Sequence, residues 1–153
     1  MTAMGERTQV ALSMGTIAGS EHDGIRRFLG VPYAAAPFGE NRFRAPQPVA
    51  PWSGIRSAQA FGATAPQLPY PGSLGALLGS ARIPGDDILT VNVWAPADAE
   101  QAPIVVWIHG GAFERGTAAL SGYDGTSFAR DGIVFISVNY RLGSEGFSVL
   151  DGA

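Results

Sequence analysis

Three short apolar runs in the second half of the chain place the strongest constraint on its fold. They span residues 89–94, 104–108 and 133–138 and are rich in Val and Ile. Continuous apolar runs of this length are typical of strands that are buried on both faces. The connection from the second run to the third has room for one short helix, at 127–130, and could contain a right-handed crossover. The pattern therefore predicts an α/β fold with an unfinished parallel sheet.

The first half of the chain predicts a hairpin. Residues 10–14 and 16–20 are β-prone stretches joined at Gly15, and residues 28–33 are a candidate third strand. We expect residues 1–13 to be disordered or frayed.

The stretch from residue 34 to residue 85 has a different character, because eight prolines and many glycines interrupt it. A structureless stretch of this length argues against a self-contained small domain. It predicts a segment that wraps around a larger body.

Composition excludes several classes of protein. Apolar residues make up 46% of the chain and charged residues 15%, which predicts a folded domain. The formal charge is −3 and the basic residues are scattered, so a nucleic-acid partner has no electrostatic support. No apolar run is long enough to span a membrane. The chain has no cysteine and no run that resembles a signal peptide, so we expect a cytoplasmic protein.

The junction after the second apolar run carries the chemistry, because the run ends in His109-Gly110-Gly111-Ala112-Phe113. Consecutive glycines let the backbone turn sharply and expose successive N–H groups, as a site for an oxyanion requires. Hydrolases with a nucleophile elbow build part of their oxyanion hole in the loop after this strand. A plain glycine turn at a strand end is the alternative that the pentapeptide alone leaves open.

Longer stretches resemble one family. WIHGGAF, followed by YDGTSFARDGIVFISVNYRLGSEGF, is similar to the type-B carboxylesterase and cholinesterase family, in its bacterial para-nitrobenzyl esterase-like branch. The opening segment from GTIAGS to APQ and the stretch DDILTVNVWAP agree with it, so the resemblance covers roughly residues 14 to 150. It implies that residues 1–153 are the N-terminal part of a single α/β-hydrolase domain. The implied reaction is hydrolysis of carboxylic esters through an acyl-enzyme, with a serine, acid and histidine triad in that chain order.

The resemblance also implies roles for the loop residues. The backbone N–H groups of Gly111 and Ala112 would donate to the oxyanion, and Gly110 would supply the turn. Phe113 would lie beside the acyl pocket, and His109 would shape the loop, with contact between its ring and the ligand as the alternative. The expected partners are a small-molecule carboxylic ester and the remaining C-terminal part of the hydrolase. No metal ion or organic cofactor is implied.

No residue of the chain fits the nucleophile or the base. Ser127 lies in a sequence that imitates a nucleophile elbow, but a polar turn precedes it where a buried strand is required. Ser73 has no strand before it either. His22 is typical of an exposed hairpin turn, and both His22 and His109 precede any position that the family order allows for the catalytic histidine. We therefore predict that this chain alone is inactive.

Three structural features follow from the same resemblance. Arg42 and Asp86 occupy the positions of a buried ion pair, although Asp86 replaces the usual glutamate and has a shorter reach. Arg141 would pair with an acid beyond residue 153. Many secreted members join two cysteines at the positions of Ala65 and Ile88, and a reducing compartment permits the loss of both.

Two rival interpretations stay open. In the first, the chain belongs to a non-catalytic relative whose fold serves as a binding or adhesion module, although the intact glycine loop and the missing cysteines argue against it. In the second, the 153 residues are a complete small protein with an unrelated function. A sheet that stops after its third run would have an unpaired edge and an uncovered face, which argues against the second rival and predicts aggregation, domain swapping or a partner chain.

Overall fold

One mixed β-sheet organises the chain, which the computed structural model describes over residues 6–73, 75, 79 and 81–150. Within those residues the sheet has seven strands in the order β1-β2-β3-β5-β7-β6, with β4 paired to β2. The strands are β1 (Glu6–Leu12), β2 (Gly15–His22), β3 (Ile25–Pro32), β4 (Ile55–Ser57), β5 (Thr90–Pro96), β6 (Ile104–Ile108) and β7 (Val134–Val138).

The helices of the described residues are short. Two are single 3-10 turns, at Gly39–Asn41 and Ser121–Tyr123, and two are α-helices, α1 (Thr126–Arg130) and α2 (Gly143–Phe147). Helix α1 begins one residue before the predicted position and lies in the connection between β6 and β7. It covers the sheet through Ala129, which is buried with Trp94 and Phe135.

The first two strands form the predicted hairpin, but it is longer than the sequence pattern indicated. Strands β1 and β2 pair from Glu6 opposite Glu21 to Leu12 opposite Gly15. The prediction of disorder across residues 1–13 is therefore wrong for residues 6–12, because the ladder satisfies their backbone groups. Residues 1–5 lie outside the described residues.

Strand directions differ from the predicted parallel sheet. Strand β5 runs antiparallel to both of its neighbours, β3 and β7. Strands β6 and β7 are parallel, as the crossover between them requires, and β4 is parallel to β2. The sheet is therefore mixed. The long segment before β5 brings the chain back to the edge of β3, and β5 then pairs antiparallel with β3 on one side and with β7 on the other.

Strand β6 was predicted to be buried, and this prediction is wrong. Ile104, Val106 and Ile108 are 62%, 55% and 65% exposed. The reason is position, since β6 is the last strand of the sheet and pairs only with β7 among the described residues. In the middle of the sheet, Trp94 is 1% exposed and packs edge-on against Phe135 with ring centroids 5.9 Å apart.

The proline-rich stretch from residue 34 to residue 85 wraps against the sheet where it is described. Ala58 is buried and joins the sheet through two backbone hydrogen bonds, from its N–H to Ala18 and from the N–H of Leu29 to its carbonyl. Ala65 and Ile88, the positions of the family disulfide, are buried together in one apolar cluster. Apolar packing holds these two positions together.

The predicted ion pair between Arg42 and Asp86 does not form. Arg42 instead donates from Nε to the carboxylate of Glu145 in α2, at 3.0 Å. Asp86 is exposed and its side chain is one methylene shorter than the usual glutamate, whereas Glu145 reaches the guanidinium. Arg141 donates to the carbonyl of Arg44 at 2.8 Å, and its expected pairing with an acid beyond residue 153 stays a prediction.

A buried asparagine joins the three central strands. The register of β3 shifts between Phe28 and Val31, and the N–H of Gly30 at this bulge donates to Oδ1 of Asn92 at 3.0 Å. Nδ2 of Asn92 donates to Oγ of Ser137 in β7, also at 3.0 Å. Asn92 and Ser137 are 1% and 0% exposed, so each is the buried partner of the other.

Replacing Asn92 with alanine should lower the free energy of unfolding by about 2–4 kcal/mol, because it leaves the partly buried N–H of Gly30 and the buried hydroxyl of Ser137 without these partners. Urea unfolding of the protein measures this change. Gln9→Ala on the exposed surface of β1 is the control and should change stability by less than about 0.5 kcal/mol. Equal effects of the two variants would contradict the conclusion that Asn92 stabilises the fold by joining β3, β5 and β7.

Candidate functional site

The glycine loop, residues 109–116, follows β6 and has an unusual backbone. Gly111, Ala112 and Phe113 all have positive φ, at +128°, +57° and +61°. The left-handed conformation costs a non-glycine residue about 1–2 kcal/mol, so Ala112 and Phe113 store strain. Backbone strain of this kind is concentrated at functional sites, so the glycine loop is a candidate functional site.

The turn itself is built on Gly111. Its carbonyl accepts hydrogen bonds from the N–H groups of Glu114 and Arg115, both at 3.1 Å. A Cβ at Gly111 would lie 1.8 Å from the carbonyl oxygen of Arg115, so no other residue fits there. Gly110 does not have positive φ, and a Cβ at Gly110 would meet no atom within 4 Å. The steric need for glycine is therefore at Gly111, and the role of Gly110 in the turn stays a prediction.

Successive N–H groups at the start of the glycine loop have no acceptor. Among the residues that the structure describes, no backbone or side-chain acceptor takes the N–H of Gly110, Gly111, Ala112 or Phe113. The predicted donors, Gly111 and Ala112, lie in the middle of this run. Ala112 is exposed and Gly111 is partly exposed, so both groups can be reached. Free backbone N–H groups in a rigid turn can bind an anionic oxygen.

His109 lies beneath the loop. It is 3% exposed, and its ring stacks on Tyr140 with centroids 4.5 Å apart. Nδ1 is 2.9 Å from the carbonyl oxygen of Gly110, and because a carbonyl only accepts, Nδ1 carries the hydrogen. Burial lowers the pKa of His109, although the hydrogen bond to Gly110 opposes this shift. The geometry favours a role in shaping the loop over contact with a ligand.

Phe113 is on the outer side of the loop and is 61% exposed. Its ring packs on Phe147 of α2 with centroids 4.9 Å apart, and its carbonyl accepts the N–H of Gly143 at 2.7 Å. Helix α2 thus supports the strained part of the loop. An exposed aromatic ring beside the free N–H groups can contact the apolar part of a ligand, and this role of Phe113 stays a prediction.

Two polar side chains that the sequence analysis did not assign also hold this region. Oδ1 of buried Asn139 accepts the N–H of Ala118 at 2.7 Å. The amide of Gln67 accepts the N–H of Gly116 at 2.7 Å and donates to its carbonyl at 2.8 Å. A polar residue directly after a buried strand was the available signal for Asn139. For Gln67 the sequence carried no local signal, because its partner is 49 positions away.

A cavity of about 260 Å³ lies beside the glycine loop. Its walls combine glycine backbone with apolar and aromatic side chains, contributed by Gly111, Gly116, Leu120, Tyr123, Leu68 and Tyr70. Most of its lining is apolar, although Gln67 and Thr117 also reach it, so it can accept an apolar group of a ligand that binds at the free N–H groups.

The other candidates are not brought to this site. Ser127 is exposed in α1, after a 3-10 turn, and makes no side-chain hydrogen bond with a histidine or an acid in the described part of the chain. His22 is an exposed residue at the end of β2, 3.2 Å from Asp23. Across residues 6–150, as far as they are described, no helix is long and apolar enough to cross a membrane. No group of three or more His, Asp or Glu side chains is placed to hold a metal ion in the same residues.

Acid should weaken the fold through His109. Its pKa is lowered from the ordinary 6.5 in the folded protein, so below pH 6.5 the unfolded chain binds more protons than the folded one. The free energy of unfolding should therefore decrease as the pH falls from 6.5 toward the folded pKa, and His109→Gln should flatten this dependence. An NMR titration of the imidazole that gave a midpoint at or above 6.5 would contradict this expectation.

Known proteins are similar to this chain in sequence. The model of the carboxylesterase family matches residues 6–152. Phenmedipham hydrolase of Pseudarthrobacter oxydans is 46% identical over 137 residues, which cover 87% of this chain and 28% of that protein. Para-nitrobenzyl esterase of Bacillus subtilis is 38% identical over 142 residues, covering 90% of this chain and 28% of that protein. The chain therefore spans about 28% of the length of these relatives.

Solved structures agree. A para-nitrobenzyl esterase structure superposes with a TM-score of 0.84 at 36% identity, covering 95% of this chain and 30% of the other. A carboxylesterase structure from Geobacillus stearothermophilus superposes with a TM-score of 0.78 at 39% identity, covering 92% of this chain and 28% of the other. The resemblance to this family and the α/β-hydrolase fold, of which these residues are the N-terminal region, are thereby confirmed. The chain belongs to the carboxylesterase family.

Proposed function

We propose that the parent protein is a serine-dependent carboxylic ester hydrolase and that this chain contributes two oxyanion donors, the backbone N–H groups of Gly111 and Ala112. The observation that carries the proposal is the run of successive N–H groups, from Gly110 to Phe113, that have no acceptor among the described residues and lie in a strained turn after β6. The family resemblance selects Gly111 and Ala112 from this run. The relatives, whose names describe a hydrolase and an esterase, support the reaction class.

The proposed chemistry follows from where charge develops. A serine oxygen attacks the ester carbonyl, and the carbonyl oxygen becomes an oxyanion in the tetrahedral intermediate. Donors that are already in position stabilise this charge without reorganisation, and one such donor contributes about 10²–10³ in kcat. Gly111 and Ala112 would supply two donors, and the residue after the serine would supply a third.

The serine, the acid and the catalytic histidine of this proposal come from sequence outside these 153 residues. Ser127 has no strand before it, and the buried ring of His109 is already engaged with Tyr140 and Gly110. We accordingly expect no ester turnover from this chain alone. The proposed substrate is a small carboxylic ester whose acyl group lies beside Phe113, and the cytoplasmic location stays a prediction.

Gly111→Ala in the full-length protein should reduce kcat by at least about 10²-fold on a short-chain nitrophenyl ester, because a Cβ there collides with Arg115 and displaces the donors. Gly122→Ala is the matched control, since Gly122 is exposed, has ordinary φ and has no atom within 4 Å of a Cβ. The control should keep its rate within about twofold.

Two outcomes would overturn the proposal. One is a wild-type protein that shows no ester turnover and no covalent labelling by an organophosphate. The other is a Gly111→Ala variant that is folded by circular dichroism and as active as Gly122→Ala.

A further inference from the structure

The amide of Gln67 makes an unusual contact with the glycine loop. Its oxygen accepts the N–H of Gly116 at 2.7 Å, and its nitrogen donates to the carbonyl of the same residue at 2.8 Å. The side chain therefore binds Gly116 as a neighbouring strand would, with one donor and one acceptor. Among the described residues neither polar group of Gly116 has another partner.

The other end of this clamp is attached to the core. Nε2 of Gln67 also donates to the carbonyl of Ala65 at 3.1 Å. Ala65 is 4% exposed and is buried with Ile88 and Leu89, which lie directly before β5. Gly116 is thus tied through one side chain to a packed part of the molecule.

Gly116 in turn fixes the residues that carry the free N–H groups. It lies against the beginning of the loop, since a Cβ at Gly116 would be 2.4 Å from Nδ1 of His109 and 2.5 Å from the carbonyl oxygen of Gly110. Its neighbour Arg115 presents the carbonyl that touches Gly111. A shift of Gly116 would therefore also move the carbonyl of Arg115, which lies against Gly111.

A second contact joins the same two segments. The guanidinium of Arg115 lies 5.2 Å from the centre of the Tyr70 ring, a cation–π distance. Gln67 and Tyr70 belong to the proline-rich stretch, and Gly116 and Arg115 belong to the glycine loop. The two segments are therefore linked by two contacts, through residues three positions apart in the proline-rich stretch and through adjacent residues in the glycine loop.

We infer that Gln67 is a positioning residue that holds the glycine loop in its donor geometry through Gly116. The inference rests on the proposed function, because it deepens the role of Gly111 and Ala112. The amide of Gln67 supplies both the donor and the acceptor that bind Gly116, so alanine removes both bonds. Glutamate keeps the size and one acceptor but sets carboxylate oxygens against the carbonyls of Gly116 and Ala65.

The test compares Gln67→Ala and Gln67→Glu in the full-length protein with Gln59→Ala. Gln59 is exposed and its side chain makes a single hydrogen bond, to Gly19 at 3.3 Å, away from the loop. Hydrolysis of a nitrophenyl ester, binding of a trifluoromethyl ketone and hydrogen exchange of peptides that cover residues 109–117 are measured for each variant. The ketone forms a hemiketal oxyanion on a serine and so reports the donors.

Both Gln67 variants should lower kcat by about 10- to 100-fold with KM within about twofold, because misplaced donors act on the transition state. Affinity for the ketone should fall by a similar factor, and exchange in peptides 109–117 should speed up. Gln59→Ala should match the wild type in all three measurements. Unchanged exchange, a rise in KM alone, or a kcat equal to that of Gln59→Ala would overturn the inference.

Failure of the proposed function has a different signature. A wild-type protein with no turnover overturns the ester hydrolase proposal itself, whereas hydrogen exchange still decides whether Gln67 holds the loop. Slow exchange in the wild type and fast exchange in both Gln67 variants would then support the clamp without the catalytic role.

Discussion

The parallel pairing of β6 with β7 is the interaction on which the candidate site depends. Its register sets Ile108 opposite Val138, so both strands end at the same edge of the sheet. The residues that follow each strand therefore meet: Tyr140 stacks under His109 and donates to its carbonyl at 2.6 Å. A register shift of one residue would turn every side chain of β7 to the other face and separate these partners.

Polar side chains complete what the sheet begins. Asn92 satisfies the N–H at the bulge of β3, Asn139 satisfies the N–H of Ala118, and Gln67 satisfies Gly116. Each occurs where the backbone leaves a regular ladder and its groups lose their ordinary partners. A buried group without a partner is costly, so these side chains fix one backbone path among several of similar compactness. The loop is thus held by directional bonds and not by apolar packing alone.

Local sequence predicted what local physics controls. The run 104–108 became β6 with the same limits, because five consecutive apolar β-formers have little alternative. The position of α1 and the chain order of the hairpin strands were also predictable. Strand direction was not, because β5 pairs with β3 and β7 through contacts distant in sequence. The burial of β6 failed for the same reason, since exposure depends on neighbours that its own residues do not encode.

In the candidate site, too, local sequence predicts some features, and contacts between residues distant in sequence determine others. The residues of the loop could be predicted from the glycines and from the family resemblance, whereas the turn lies at Gly111 because of its contact with Arg115, which no motif states. Arg42 was expected to form an ion pair with Asp86, but side-chain length and the position of α2 favour its pairing with Glu145. Gln67 could not be found at all from local pattern. Its importance exists only once the proline-rich stretch and the glycine loop are folded together.

The left-handed backbone at Ala112 and Phe113 has a consequence for the evolution of this protein. Two such residues remove about 2–4 kcal/mol from a folding free energy that is about 5–15 kcal/mol for a whole domain. Glycine at either position would relieve the strain, yet it would also give the loop more conformations to sample. The two left-handed residues therefore lower folding stability while leaving the loop fewer conformations than glycine would allow.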